Sequence, residues 1–299
     1  MSISFQGLGN EGRLGNQMFQ YAFVRGVAAN RGFNWIIPGP DADRLDNYGL
    51  FDAFELTNCD LNKNTGEPFF AKKVEYRDMH FNEDIFNNCS DDTNFSGNFQ
   101  TEKYFEAIAS SIREDFTFKK AYLEPCQDFI DSLGGRDKCI FLHVRRGSPN
   151  LTGRRGEKWS YQMVQEYHPL CKIDYYVKAL ESFPEDKNVI VVSDLIDWCK
   201  KQPFLQGDRF HFSDSSYETF GDGAAVPYID LCLMSLCGGA IIANSSLSWW
   251  GAWLQGYDSK VVAPDPWFGP AYAHYNMKDM IPERWLKIHN DPTPVTPEE

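Results

Sequence analysis

The chain has 299 residues, of which 42% are apolar and 15% aromatic, enough to bury the core of one large domain or of two moderate ones. Its formal net charge of −13 argues against a general nucleic-acid binder, because phosphate backbones are held by an excess of Lys and Arg. We therefore expect no nucleic-acid partner, and any anionic ligand would need a local basic cluster.

The beginning of the chain lacks the basic and apolar regions of a signal peptide. The longest apolar stretch, 229–243, is short for a membrane span and contains Asp230 and two glycines. None of the eight cysteines has C-x-x-C spacing, which favours reduced thiols over a zinc site or a disulfide framework. We expect a cytoplasmic protein, or one that lies at the surface of a membrane that carries its acceptor.

A glycine-rich stretch, GLGNEGRLGNQ, occupies residues 7–17, and its first six letters match the dinucleotide fingerprint G-x-G-x-x-G. Dinucleotide binding would also need an acidic residue at the end of the second strand, about 20 residues further on. The predicted second strand, 33–37, ends in Pro-Gly-Pro, and the first acid is Asp41 in the loop beyond. This spacing argues against NAD.

The first half of the chain is expected to form one domain, residues 1–135. Helical spacing of apolar residues predicts a helix over 17–31, and Gly32 ends it. The stretch 41–98 is polar and predicted to be loop-like, and two further helices are predicted before the domain boundary at Gly134-Gly135. These two helices span 102–115 and 122–133.

The second half alternates short apolar runs with amphipathic ones, which indicates a parallel sheet built from βα units. The second domain is predicted over 136–290, with a disordered tail over 291–299. The predicted strands are CIFLHV (139–144), NVIVVS (188–193), RFHFS (209–213), GAIIAN (239–244) and KVVAP (260–264).

Polar residues follow every predicted strand of the second half. Because the carboxyl ends of parallel strands share one edge of a sheet, we expect these residues to line a ligand crevice there. The polar exits are Arg145-Arg146-Gly147, Ser193-Asp194, Ser213-Asp214, Asn244-Ser245-Ser246 and Pro264-Asp265.

The exit of the first of these strands, HVRRG, carries two arginines. Period-two alternation sends His143 and Arg145 to one side and Arg146 to the other. Arginine forks bind phosphate bidentately, although both arginines could instead pair with acids, and His143 could be an ordinary core histidine. A second basic run, 153–158, would form either a lid over a nucleotide sugar or a solvated insertion.

The exit IIANSSLSWWGAW offers more capping residues than one helix start requires, namely Asn244, Ser245, Ser246 and Ser248. The free N–H groups and the positive dipole end of the following helix would bind an anion. Its tryptophans are expected to belong to the core. No D-x-D pair follows a strand, so we expect no metal.

Seven blocks resemble the α-1,2-fucosyltransferases, in the order of that family: GRLGNQMFQYA, FQTEKYF, HVRRG, DYYVKA, VVSD, DLCLMSLCGGAIIANSSLSWWGAWL and APDPWF. The resemblance implies an α/β fold of the GT-B type, with two Rossmann-like domains that face a cleft. It implies inverting, metal-independent transfer of L-fucose from GDP-fucose to the 2-hydroxyl of a galactose-terminated glycan, without a cofactor. Oligomeric state is left open.

The resemblance also implies roles for individual residues. Arg145 would contact the β-phosphate, Arg146 would support the loop or a second phosphate oxygen, and Asp194 would recognise guanine or ribose. His143 would lie under the nucleotide, and Ser245 and Ser246, beside Asn244 and Ser248, would bind the diphosphate. From the first domain, Arg13, Asn16 and Gln17 would reach across the cleft toward the donor, unless Asn16 is a simple helix N-cap. The predicted catalytic residues are therefore Arg145, Asn16 and Arg146.

One position departs from the family pattern, which usually has Asp after His-x-Arg-Arg-Gly where this chain has Ser148. Another group, or the leaving phosphate, must then accept the acceptor's proton. The candidates are Glu102, Glu157, His168 and Asp174. Three alternatives stay open at this stage: a different fucose linkage, a different GDP-sugar, and a non-catalytic glycan-binding module.

Overall fold

A computed structural model describes residues 1–10, 12–40, 49–56, 61–62, 70–147, 151–152, 158–159, 161–213 and 227–296. The chain forms two compact units. The first comprises Met1–Lys120 and Tyr275–Glu283, and the second comprises Ala121–His274 and Arg284–Glu299. No helix in the described ranges is both long and apolar enough to cross a membrane.

The first unit contains a five-stranded sheet in which all neighbouring strands are parallel. The strand order is β3-β2-β1-β5-β4, so β1 and β5, which are far apart in the chain, are neighbours in the sheet. The strands are β1 (Ser2–Ser4), β2 (Asn34–Pro38), β3 (Leu61–Asn62), β4 (Lys72–Tyr76) and β5 (Thr93–Gly97).

The longest helix of the first unit is α1, Leu14–Arg31, in agreement with the helix that the spacing of the apolar side chains predicted. Gly32 ends this helix in a left-handed conformation. The other helices are shorter: α2 (Leu50–Ala53), α3 (Glu83–Asn88), α4 (Ala109–Asp115) and the 3-10 turns Glu102–Tyr104 and Glu106–Ile108. The stretch predicted as a loop, 41–98, thus contains β4, β5 and α3, and the single helix predicted over 102–115 is two 3-10 turns and a short α-helix.

The second unit contains a six-stranded, entirely parallel sheet in the order β10-β9-β6-β11-β12-β13. This is the Rossmann order, with β6 in the place of the first strand. The strands are β6 (Cys139–Val144), β9 (Asn188–Ser193), β10 (Phe210–Phe212), β11 (Gly239–Ile241), β12 (Lys260–Asp265) and β13 (Leu286–His289), and a separate antiparallel pair joins β7 (Leu151–Thr152) to β8 (Lys158–Trp159).

Helices alternate with these strands, as the sequence predicted, and β6 is buried at all six positions because both of its faces are covered. The helices are α5 (Lys120–Ser132), α6 (Tyr161–Tyr167), α7 (Ile173–Leu180), α8 (Ile196–Cys199), α9 (Tyr228–Leu236) and α10 (Ser246–Leu254), with 3-10 turns at Arg136–Lys138, Pro203–Leu205 and Pro270–Tyr272. The three tryptophans of α10 are fully buried, in agreement with their predicted core role.

The limits of the units differ from the boundary predicted at residue 135. Helix α5 belongs to the second unit because it packs on α9: the rings of Tyr122 and Tyr228 are 5.5 Å apart, and Cys126 Sγ lies 3.8 Å from the carbonyl oxygen of Ile229. Residues 275–283 belong to the first unit because Asp279 is bound there. Its carboxylate accepts from the Phe81 amide at 2.9 Å and pairs with Lys103 at 2.6 Å.

The C-terminal segment also differs from the disordered tail predicted over 291–299. The amide and carbonyl of Val295 exchange two hydrogen bonds with the side chain of Gln165, at 2.8 and 2.9 Å. The carboxylate of Asp291 pairs with Lys172 at 2.6 Å. Residues 291–296 are therefore hydrogen-bonded to the second unit, whereas 297–299 lie outside the described residues.

Candidate functional site

The strand order of the second sheet reverses at β6 and β11. From β6 the chain builds outward through β9 and β10 on one side, and through β11, β12 and β13 on the other. Ligands of open α/β sheets bind in the crevice outside the carboxyl ends at such a reversal. Arg145 and Arg146 follow β6 there, and Asn244–Ser246 follows β11. The two strongest sequence motifs therefore meet at one place in the second unit.

Arg145 connects these two strand exits. Its Nη1 donates a hydrogen bond of 3.2 Å to the carbonyl oxygen of Asn244, and the side chain is half-buried. The bond holds the guanidinium at the reversal of strand order, where its fork of donors suits phosphate oxygens. The contact of Arg145 with the β-phosphate stays a prediction.

Arg146 points to the other side, as strand alternation predicted. Only 3% of its surface is exposed, and its guanidinium lies over the indole of Trp198 in α8, 4.2 Å from the ring centroid. Such a cation–π contact stabilises a buried arginine. The packing fits the predicted support of the loop better than a direct phosphate contact. The sequence offered no signal for the stacking beyond the presence of Trp198 shortly after the resembling block VVSD.

Asp194, which follows β9, holds the turn formed by Arg145, Arg146 and Gly147, here called the arginine turn. Its two carboxylate oxygens accept the amide hydrogens of Arg146 and Gly147, each at 2.8 Å. Gly147 has φ +71°, a left-handed conformation that favours glycine, so the turn needs both this glycine and the carboxylate. The contact gives Asp194 a positioning role that the sequence did not reveal, while its recognition of guanine or ribose stays a prediction.

His143 is buried beneath this turn. Burial lowers the pKa of its imidazole to about 4, the Asp194 carboxylate opposes that effect, and the Arg145 charge adds to it. The backbone carbonyl of His143 accepts a hydrogen bond of 3.2 Å from the hydroxyl of Tyr176 in α7. The imidazole is therefore neutral near pH 7, and its predicted place under the nucleotide stays a prediction.

Two of the predicted diphosphate ligands are turned into the protein. The side-chain amide of Asn244 donates to the carbonyl oxygens of Pro169 at 2.6 Å and Trp267 at 3.2 Å. The hydroxyl of Ser248 is fully buried and points to the carbonyl oxygens of Ala243 and Ser245. The prediction that both side chains bind the nucleotide is wrong, because neighbouring carbonyls already take their hydrogens.

The N-terminus of α10 keeps the features of an anion site. Ser245 is the N-cap, with extended backbone, and its side chain makes no capping hydrogen bond. The first N–H groups of a helix have no partner within the helix, and they carry the positive end of its dipole. Ser245 and Ser246 are half-buried, so their hydroxyls and these N–H groups are available to a diphosphate beside Arg145.

The glycine-rich turn of the first unit leads into α1 through Arg13, whose side chain is exposed and makes no capping bond. Asn16 lies in the first turn of the helix, and its Oδ1 accepts a hydrogen bond of 2.9 Å from Gln100, so the N-cap alternative for Asn16 is wrong. The sequence did not predict Gln100, although it lies in the resembling block FQTEKYF.

Gln17 is fully buried, which contradicts its predicted contact with the donor. Its Nε2 donates to the carbonyl oxygen of Gly12 at 3.3 Å, and its Oε1 accepts from the amide of Gly49 at 3.0 Å. The side chain therefore links the backbone of the glycine-rich turn to Gly49 at the start of α2, and both of these contacts are with the protein itself.

The candidate bases occupy different surroundings. Glu102 is buried in the first unit, and Asp174 is exposed in the first turn of α7. Burial, with a further contribution from Arg145, lowers the pKa of His168 to about 3, so its imidazole is neutral near pH 7. Glu157 and Ser148 lie outside the described residues, as does most of the basic run 153–158.

The comparison with solved structures concerns the fold. The fucosyltransferase NodZ from Bradyrhizobium is similar with a TM-score of 0.52 and 12% identity, over 84% of this chain and 91% of that one. This similarity and the two parallel α/β units confirm the predicted GT-B fold.

Comparison with known sequences concerns the family. The α-1,2-colitosyltransferase of Escherichia coli is 30% identical over 93% of this chain and 96% of its own length. Human galactoside alpha-(1,2)-fucosyltransferase 1 is 24% identical over 95% of this chain and 75% of its own. The model of glycosyl transferase family 11 matches residues 6–289. With the arginine turn and the α10 N-terminus inside that match, the chain belongs to glycosyl transferase family 11.

Proposed function

We propose that this enzyme transfers L-fucose from GDP-fucose to the 2-hydroxyl of a galactoside, with inversion and in α-1,2 linkage. One observation carries the proposal: Arg145 Nη1 binds the carbonyl oxygen of Asn244 at 3.2 Å, which places the guanidinium beside the N-terminus of α10. The names of the two relatives support an α-1,2 linkage, and the human relative supports a galactoside acceptor.

In the proposed reaction, the acceptor hydroxyl attacks from the opposite face as the bond between fucose and the β-phosphate breaks. GDP leaves, and the proton of the hydroxyl passes to a base of the site or to the leaving phosphate. Negative charge grows on the β-phosphate, while the sugar takes on oxocarbenium character. Arg145 and the α10 N–H groups are aimed at an anion, so they stabilise this charge more strongly in the transition state than in the bound donor. The positive charge comes from protein groups, so the proposal includes neither a cofactor nor a metal.

The supporting contacts explain why the site would be preorganised. Asp194 fixes the backbone of the arginine turn, and the contact with the Trp198 ring fixes the side chain of Arg146. Because these groups are in place before the donor binds, little reorganisation is needed when charge develops. A galactose-terminated glycan as the acceptor, and the cytoplasmic location expected from the sequence, are parts of the same proposal.

A second donor is favoured by one observation, the 30% identity to an α-1,2-colitosyltransferase over nearly the whole chain. Colitose linked to GDP would use the same arginine turn and the same helix N-terminus, since these contact the diphosphate and not the sugar. The choice between the two sugars therefore depends on residues that touch the sugar ring.

The test is product analysis. Purified enzyme is incubated with EDTA, lactose and either GDP-fucose or GDP-colitose, and the product linkage is read from the NMR correlation between the transferred sugar's H1 and galactose C2. Transfer of fucose to O2, with the α anomer, is expected. Transfer to another hydroxyl, a strict metal requirement, or no transfer would contradict the proposal, and turnover of colitose alone would establish the second donor.

A further inference from the structure

The first sheet pairs two strands that are far apart in the chain, β1 and β5, in parallel. The first turn of α1 follows β1, and residues 98–101 follow β5, so both segments lie outside the carboxyl ends of adjacent strands. A side-chain hydrogen bond joins the two segments: Nε2 of Gln100 donates to Oδ1 of Asn16 at 2.9 Å. In the unit that lacks the arginine turn, this amide pair lies outside the carboxyl ends of parallel strands, the edge at which α/β sheets bind ligands.

Asn16 is confined from a second direction by Gly12. That glycine has φ +78°, and a Cβ placed on it would lie 2.5 Å from the Cβ of Asn16 and 2.6 Å from its Nδ2. The asparagine side chain therefore lies directly against bare backbone. With Gly12 on one side and Gln100 on another, few rotamers remain open to the Asn16 amide.

Gln100 directly follows a strained residue, Phe99. Phe99 has φ +50°, a conformation that is costly for a bulky residue and that persists only when its surroundings enforce it. Here the Phe99 ring is fully buried and stacked on Phe23, with centroids 3.6 Å apart, and the carbonyl of Phe99 accepts from the amide of Thr101 at 2.9 Å. The turn directs Gln100, itself 5% exposed, to Asn16.

The direction of the hydrogen bond sets which end of the Asn16 amide is free to bind a ligand. An asparagine offers one acceptor oxygen and two donor hydrogens. Because Gln100 donates, it must engage the oxygen, so Nδ2 is turned away from Gln100. Among the described residues, none accepts a hydrogen bond from this Nδ2, and Asn16 is half-buried rather than fully enclosed.

We propose that Gln100 is a positioning residue that fixes the orientation of the Asn16 amide, so that Nδ2 donates to an oxygen of the substrate. The substrate oxygen is a phosphate or sugar hydroxyl oxygen, since both accept hydrogen bonds. The proposal rests on the proposed function, because it assumes that sugar transfer takes place with Asn16 in contact with the substrate. In this proposal, the strained turn at Phe99 places Gln100 where it donates to Asn16.

The substitution Gln100→Glu reverses the hydrogen bond. An ionised carboxylate only accepts, so the Asn16 amide must turn over to donate Nδ2 to it and then presents Oδ1 to the substrate. We expect kcat to fall about tenfold to hundredfold, as for the loss of one hydrogen bond to a charged group. Gln100→Met, of similar length but without hydrogen bonds, leaves the amide free to take either orientation and should lose less.

The pH dependence of the Gln100→Glu variant separates positioning from packing. When the introduced carboxyl is protonated, it regains a donor and can again bind Oδ1 of Asn16. The kcat of the variant, relative to that of the wild type, should therefore rise as the pH is lowered. A ratio that stays constant with pH, or kcat losses that simply follow the thermal midpoints of Gln100→Glu and Gln100→Met, would overturn the proposal.

A double-mutant cycle tests whether Gln100 acts through Asn16. In the Asn16→Ala background there is no amide to orient, so adding Gln100→Glu should change kcat less than about threefold, well below its expected effect in the wild type. If Gln100→Glu lowers kcat by the same factor in both backgrounds, Gln100 does not act through Asn16 and the proposal is refuted.

A spectroscopic readout keeps this inference separate from the proposed function. In protein labelled with 15N-asparagine, the side-chain amide signal of Asn16 is identified by its loss in Asn16→Ala. This signal should shift in Gln100→Glu, because Nδ2 becomes a donor to the introduced carboxylate. An unchanged signal would overturn the contact itself, whereas a shifted signal in a protein that transfers no fucose would contradict only the proposed function.

Discussion

The substitution Asp194→Ala should loosen the arginine turn without touching the arginines. The carboxylate accepts hydrogen bonds of 2.8 Å from the backbone amides of Arg146 and Gly147. Because Asp194 is exposed, water competes for these hydrogen bonds. Hydrogen bonds to charged groups contribute about 1.5–3 kcal/mol each, and solvent exposure reduces this to about 1 kcal/mol each here. Their joint loss of about 2 kcal/mol corresponds to about 4–8 °C in thermal midpoint for a unit of this size.

The assay combines the thermal midpoint with the affinities for GDP and UDP. Because Asp194 acts through the turn, its loss should weaken both nucleotides by a similar factor, up to about thirtyfold if the whole 2 kcal/mol is expressed in binding. Asp194→Asn keeps one acceptor and should lie between the wild type and Asp194→Ala. If Asp194→Ala kept its thermal midpoint and lost only the preference for GDP over UDP, direct recognition of guanine would replace the positioning role.

Other substitutions probe the same site. Arg145→Ala should lower kcat/KM about 10²–10³-fold in steady-state assays, and Arg145→Lys should restore little, because a point charge replaces the fork of donors. Ser248→Ala should cost about 1 kcal/mol in chemical denaturation and leave GDP affinity unchanged, whereas Ser245→Ala, which removes no capping bond, should keep stability and weaken GDP binding. His143, whose folded pKa of about 4 lies below its unfolded value, stabilises the fold fully above pH 6.5 and loses this contribution as the pH falls toward 4. The wild type should therefore lose about 3 kcal/mol between these pH values that His143→Gln retains, and equal acid sensitivity of the two proteins would contradict this reasoning.

The sequence predicted the second sheet well because its strands are continuous apolar runs. The run CIFLHV coincides with β6, and the polar exits of β6 and β11 do lie together. The first sheet was predicted less well, since β5 reads TNFSG and has one apolar side chain. Its polar Asn94 is required by the fold, because the Oδ1 atom accepts from Ser4 Oγ and from the Gln6 amide at the neighbouring strand.

The direction in which a polar side chain points depended on contacts that the local sequence does not contain. Asn244 and Ser248 belong to a motif with an excess of capping residues, yet Asn244 binds carbonyls that come from distant parts of the chain. Asp194 and Gln100 also act on residues about 50 and 84 positions away. Motif spacing thus identified the region of the site, while the division between ligand contacts and supporting contacts required the folded structure.

The donor site at the carboxyl ends of β6 and β11 is tested most directly by calorimetric titration of GDP, in EDTA, into the wild type and the variant Arg145→Ala. The wild type should bind GDP more tightly than UDP or NAD at the same concentration, because GDP is the leaving group of the reaction proposed for this family 11 chain. Arg145→Ala, with an unchanged thermal midpoint, should bind GDP at least tenfold more weakly. A wild type that fails to bind GDP, or a variant that binds it equally well, would contradict the assignment of this site.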